Sequence, residues 1–339
     1  MSVYNVEGNV LSMAYDIEGN NLSTVYDVEG TTIPLDGEVY PIDNVVSYFR
    51  ESTTDVATAI NALSSDWTSF VFVTDPHGSG NKNHSQAIAL YLLANTSAER
   101  IILGGDYSVS NWSKTEYDTY VSPYLQSNMM TNIYALMGNH ETYGTGASAS
   151  AKSNIYQDFL SNKSNITGNP QEVYYYFDDT VRKIRYMCIN TSDVAQYTMT
   201  ATQLSWIASN AILPSNDWSL VVLGHVTLNN MGGITYDNES NGSDIITSIL
   251  NCNGTIIGYI CGHQHVDILY DDGNIHHSTL YCDKLENNNY YSGYSITNRV
   301  AGTTTEQAVT VVSINPTTKD VVFRRIGVGK NSTMSYNYS

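Results

Sequence analysis

Five apolar runs, each breaking straight into a polar cluster, constrain this 339-residue chain more than any other feature. Residues 70–73 lead into Asp75-Pro76-His77, and residues 101–103 into Gly105-Asp106. Residues 133–137 lead into Gly138-Asn139-His140-Glu141, 220–223 into Gly224-His225, and 256–260 into Gly262-His263-Gln264-His265. Short continuous runs rich in β-branched and aromatic residues read as strands buried on both faces. Helical patterns fall between several of them, over 85–93 and 202–212, and before the first over 45–63, where a break is expected at Ser52-Thr53-Thr54. Buried strands alternating with helices predict a layered α/β domain, with its chemistry gathered where the strands end.

The residue types at those ends point to metal chemistry. Carboxylate and imidazole donors suit a divalent Lewis acid, and the glycines allow tight turns beside it. Two such cations need a shared carboxylate to offset their repulsion, and Asp106 is the natural bridge. A single histidine after a strand is more often structural than a ligand. Five clusters within one domain are hard to reconcile with a fold that holds no metal.

In this order the motifs D-x-H, G-D, G-N-H-E, a lone H and G-H-x-H, spanning 71–265, resemble the calcineurin-like metallophosphoesterases. The resemblance implies a four-layer αββα sandwich, to which a closing strand pair over 308–314 and 321–326 would contribute. It implies two divalent metal ions, drawn from Mn, Zn, Fe, Ni or Co. Asp75, His77 and His265 would hold the first, Asp106 would bridge, and Asn139, His225 and His263 would complete the second. The implied reaction is hydrolysis of a phosphate ester by in-line attack of a hydroxide bridging the metals. Asp106 and Asn139 would serve in it, with His140 as the general acid at the leaving oxygen. Two subfamilies fit poorly. Protein phosphatases of the family read G-D-x-V-D-R-G, whereas Tyr107 to Asn111 follow Asp106 here; purple acid phosphatases place a Tyr where Val109 stands.

Charge narrows the substrate. The net charge of −18 leaves no extended basic patch for nucleic acid. Without an Arg clamp after Asp106, a singly charged phosphodiester is a better fit than a phosphoprotein, either an envelope polymer such as teichoic acid or a nucleotide. The four cysteines Cys188, Cys252, Cys261 and Cys282 form no CxxC pair and read as small buried hydrophobes. No apolar stretch reaches the ~20 residues of a membrane span. The opening Met-Ser-Val-Tyr-Asn-Val-Glu lacks the regions of a signal peptide.

The first 33 residues repeat every eleven, aligning Tyr4, Tyr15 and Tyr26 with Gly8, Gly19 and Gly30 in the same register. A glycine in each repeat would cost a helix about 1 kcal/mol, so short strands joined by turns are expected. These units resemble repeats of bacteriophage virion and bacterial surface proteins. That resemblance implies a tether or self-association through residues 1–35, a virion or cell-surface partner, and a virion-associated or extracellular location, with a cytoplasmic one as the alternative. The expected division is a β-repeat segment over 1–40, a catalytic domain over 41–330 and a polar tail over 331–339. An adhesin using the same fold for binding is the rival reading. Outside the motifs, His84 reads as a loop residue and His276 and His277 as lining a strand edge. Tyr107 and Tyr143 are candidates to stack on substrate.

Overall fold

A computed structural model describes residues 25–26, 32–33, 40–78, 84–228, 238–284, 298–328 and 333–338. Within the third repeat, β1 (Val25–Tyr26) pairs antiparallel with β2 (Thr32–Ile33). The first two repeats lie outside the described residues.

Helix α1 (Ser47–Asn61) runs through the expected break. Thr53 and Thr54 turn their hydroxyls back onto the carbonyls of Phe49 and Arg50, at 2.7 and 2.8 Å, and so satisfy themselves inside the helix. Its buried face is Phe49, Thr53, Val56, Ala57 and Ile60, the spacing of a single helical stripe. Strand β3 (Thr68–Val73) follows, then α2 (Ser85–Asn95), β4 (Ala98–Leu103), α3 (Lys114–Leu125) and β5 (Ile133–Ala135). Ser113 caps α3 by accepting the Glu116 N–H. Helix α4 (Ala147–Ile155) precedes β6 (Thr167–Asn169), β7 (Tyr174–Asp179) and β8 (Ile184–Cys188). Then come α5 (Ala201–Asn210), β9 (Ser219–Leu223), α6 (Gly242–Ile249), β10 (Thr255–Cys261), β11 (Ile268–Asp271) and β12 (His276–Thr279). The chain closes with β13 (Ala308–Asn315), β14 (Asp320–Gly327) and β15 (Thr333–Asn337).

Two mixed sheets result, in the orders β15-β14-β13-β3-β4-β5 and β11-β12-β10-β9-β8-β7-β6. They pack face to face. Phe70 of one meets Tyr186 of the other edge-on at 6.0 Å, and the Tyr175 hydroxyl donates to the Ala135 carbonyl at 2.9 Å. Alternation sorts the second sheet. Tyr186, Cys188, Val221 and Leu223 join the core shared with the first sheet, while Met187, Leu220 and Val222 pack with Ile207 of α5 and Ile246 of α6. Helices α1 and α2 cover the outer face of the first sheet, giving the αββα layering.

The expected tail is not a tail. Residues 333–337 form β15, antiparallel to β14, because Met334 and Tyr336 alternate with polar neighbours and dock on the core. The strand pair β13–β14 forms as expected. His276 and His277 sit on β12, which is flanked by β10 and β11 and is therefore not an edge. Cys188, Cys261 and Cys282 are buried free thiols, and Cys252 is half-buried.

Candidate metal centre

All five polar clusters project from the carboxyl ends of strands that run parallel, β3, β4 and β5 in one sheet and β9 and β10 in the other. The centre therefore lies at one end of the seam between the sheets. Backbone bonds lock the turns together: Asp75 N to Gly105 O at 3.0 Å, His77 N to Asp106 O at 3.0 Å, and Gly262 N to His225 O at 3.1 Å.

Sharp turns leave a mark on the backbone. Asp75, His77, Asp106, His263 and His265 all have φ between 47° and 69°, a left-handed region that non-glycine residues seldom occupy. Strain of this kind persists where surrounding structure enforces it and gathers at functional sites. Neighbouring glycines leave the room. A Cβ on Gly138 would stand 2.1 Å from Asp106 Oδ1, and one on Gly262 would stand 2.4 Å from Asp75 Oδ2.

Three groups of donors converge within 4.8 Å: Asp75 with His77 and His265, His77 with Asp106 and His140, and Asp106 with His225 and His263. His265 Nε2 lies 3.2 Å from Asp75 Oδ1 and 3.1 Å from His77 Nε2. Asp106 Oδ2 is common to the rest, 3.9 Å from His77 Nε2, 3.8 Å from His140 Nε2 and 3.1 Å from His225 Nε2. Asn139 Oδ1 faces His225 Nε2 at 3.1 Å. The seven expected ligands and His140 are thus brought together.

The imidazole tautomers test whether these donors suit divalent cations. His77 Nδ1 meets the Ser108 carbonyl at 3.0 Å, and His225 Nδ1 meets the Gly104 carbonyl at 2.8 Å. A carbonyl only accepts, so each Nδ1 carries a proton and each Nε2 points inward, as the atom that offers a lone pair when its ring is neutral. Inward lone pairs facing carboxylate oxygens at 3–4 Å call for positive charge between them. The donor set fits two divalent cations.

Electrostatics agree. Burial pulls His77 and His263 down to about 3, leaving both imidazoles neutral and able to donate a lone pair. Burial would also lower His225, but the carboxylates of Asp106 and Asp75 outweigh it and push the group up to about 9. Burial would raise Asp106, yet the His225 and His140 rings overcome it and hold the carboxyl well below its usual range. These carboxylates stay charged and draw cations.

His140 packs its ring on His77 at 4.6 Å, and its Nδ1 is buried with no hydrogen-bond partner among the described residues. Tyr143 lies beside it at 4.7 Å. Tyr107 is instead wholly buried against Tyr117, with its hydroxyl on the Leu136 carbonyl, and cannot stack on substrate. His84 leads into α2, edge-on to Tyr48. A cavity of about 710 Å³ opens beyond Thr142, bordered by Gly146, Ala147, Lys152 and Glu172.

Sequence reasoning passed over three residues of the centre. Thr74 donates to Asp75 Oδ2 at 2.6 Å, and Glu141 accepts three backbone N–H groups around Asp106. Tyr197 lays its ring beside His263 at 5.3 Å. Glu141 stood inside a motif and could have been suspected; Tyr197 comes from a motif-free loop in a chain with 27 tyrosines.

Comparison with known proteins bears on this geometry. No curated protein matches. The structure of a dimetal phosphatase from Danio rerio aligns with TM-score 0.55 and 11% identity, over 80% of this chain and 99% of that one. A purple acid phosphatase from yellow lupin (Lupinus luteus) seeds aligns with TM-score 0.53 and 14% identity, over 81% of this chain and 54% of that one. This chain therefore spans about half the length of the lupin protein, and at such identities the likeness is one of fold. The family model described as calcineurin-like phosphoesterase matches residues 68–267, from the first residue of β3 to just past His265. With that match covering more than half of its 339 residues, the chain belongs to the calcineurin-like phosphoesterase family and is a hydrolase of phosphate esters.

Proposed function

We propose that the chain hydrolyses a phosphodiester, with Asp75, His77 and His265 holding one cation, Asn139, His225 and His263 the other, and Asp106 bridging. The observation that carries this reading is the position of Asp106 Oδ2 among His77, His140 and His225, at 3.1 to 3.9 Å. Bound cations would supply Lewis acidity toward the phosphoryl oxygens and make hydroxide available near neutral pH. Asn139 contributes a neutral carbonyl oxygen, which leaves the centre a net positive charge for an anionic ester. His140, with 21% of its side chain exposed, stands at the rim beside Asp106 and donates a proton to the departing alkoxide.

The preference for a diester rests on charge. Tyr107 to Asn111 stand where the protein phosphatases of the family carry an Arg grip, and a diester brings one negative charge where a monoester brings two. A glycerophosphate or sugar-phosphate polymer of a bacterial envelope, such as teichoic acid, would suit an enzyme tethered through residues 1–35. The cavity beyond Thr142 has room for further units of such a chain.

Metal-free protein reconstituted with Mn²⁺, Zn²⁺, Ni²⁺ or Co²⁺ should cleave bis-p-nitrophenyl phosphate faster than p-nitrophenyl phosphate, and His263→Ala should not. Preference for the monoester would overturn the diester reading. Tight metal binding without turnover on either ester would favour the adhesin or a narrow natural substrate. Release of phosphorylated fragments from purified teichoic acid tests the polymer, and mass measurement with and without residues 1–35 tests self-association.

A further inference from the structure

Tyr143 and Tyr197 both bring their hydroxyls to the same side-chain amide. Asn139 Nδ2 donates to the Tyr143 hydroxyl at 2.9 Å and lies 3.5 Å from the Tyr197 hydroxyl, and the two hydroxyls stand 3.3 Å apart. On the other side of the same amide, Oδ1 faces His225 Nε2 at 3.1 Å.

An asparagine amide presents nearly the same shape whichever way it is turned. Only its oxygen can face a cation; the NH2 group in that place would repel it. Something must therefore decide the orientation, and both tyrosines are built to hold still. The Tyr197 ring is tilted on His263 at 5.3 Å, and the Tyr143 ring on His140 at 4.7 Å. Tyr197 also sits at a left-handed φ of 58° between Ala195 and Thr198, which bridge each other. Its carbonyl accepts from the Ser240 backbone N–H at 2.8 Å and the Ser240 hydroxyl at 2.5 Å. A strained residue pinned from a distant segment is being placed, and its hydroxyl lands at the amide.

We infer that Tyr143 and Tyr197 are positioning residues, whose paired hydroxyls hold the Asn139 NH2 group and thereby aim Oδ1 at the cation shared with His225 and His263. This rests on the assignment of Asn139 as a ligand. The pair also ties that amide to the proposed acid, because Tyr143 touches both Asn139 and His140.

Calorimetric titration of Mn²⁺ into metal-free, full-length protein separates the possibilities, using Tyr143→Phe with Tyr197→Phe, Asn139→Ala, and all three together. Phenylalanine keeps the ring packing, so folding is preserved while the hydroxyls are lost. The expected result is a loss of about 10–100-fold in affinity at one of two sites in the double variant, the range for removing groups that orient a ligand. The other site should be unchanged. Added to Asn139→Ala, the two Phe substitutions should cost nothing more, since the group they act through is gone. Wild-type affinity in the double variant, or an equal further loss on top of Asn139→Ala, overturns the inference. Wild-type affinity in Asn139→Ala itself overturns instead the ligand assignment beneath it.

Discussion

Glu141 grips Asp106 by its backbone. The Asp106 N–H donates to Glu141 Oε2 at 2.9 Å, the same oxygen takes the Gly138 N–H at 2.8 Å, and Oε1 takes the Tyr107 N–H at 2.9 Å. One carboxylate thus ties the ends of β4 and β5 into a single turn and keeps Asp106 at its left-handed φ of 58°. Glu141→Ala would orphan three buried donors, each costing about 1–3 kcal/mol. Denaturant unfolding should show a loss of at least that size, accompanied by lower metal content. A stable Glu141→Ala protein with full metal content would mean that Asp106 needs no such support.

His140 should matter in proportion to how poor the leaving group is. Proton donation by a placed acid is worth about 10²–10⁴-fold when an alkoxide departs, and little when p-nitrophenolate does. His140→Ala should therefore cripple kcat on an alkyl phosphodiester and spare most activity on bis-p-nitrophenyl phosphate. Equal losses on both esters would argue that His140 acts on the metal centre instead.

Gly138→Ala should displace Asp106, since the added Cβ would stand 2.1 Å from Asp106 Oδ1 and 2.4 Å from its backbone nitrogen. Neither atom can yield without moving the turn. Turnover should fall by at least about 10²-fold, the scale of losing one transition-state contact, together with bound metal measured by elemental analysis.

Glu239 sets a pH dependence of stability. Its carboxyl is buried, and burial pushes it up to about 8 although the backbone N–H groups of Asn241 and Met199 pull the other way. An unfolded glutamate titrates near ~4.3. Because the folded value is the higher one, the stabilising contribution is complete below the unfolded value and lost as pH rises through about 8. Thermal melts should fall by several degrees from pH ~5 to pH ~9. In Glu239→Gln that decline should flatten, and an unaltered slope would show that Glu239 titrates as it does in water.

The sequence by itself determined the five strands that carry the site and what would stand at their ends. Both signals are local: continuous apolar runs make buried strands, and each of the clusters at 75–77, 105–106, 138–141, 224–225 and 262–265 follows its strand within a few residues. Local reading failed once inside a helix and otherwise where a distant partner decided the outcome. Thr53 and Thr54 looked like a break but were satisfied by the helix's own carbonyls. Residues 333–337 looked like a tail until β14 offered an open edge. Tyr107 adjoins Asp106 in sequence yet turns into the core, whereas Tyr197, which no motif marks, arrives at Asn139 from 58 residues away. Which side chains the two sheets bring within 4 Å of one another, and which hydroxyls then orient them, is fixed by how the sheets pack, and packing joins residues that no sequence interval relates.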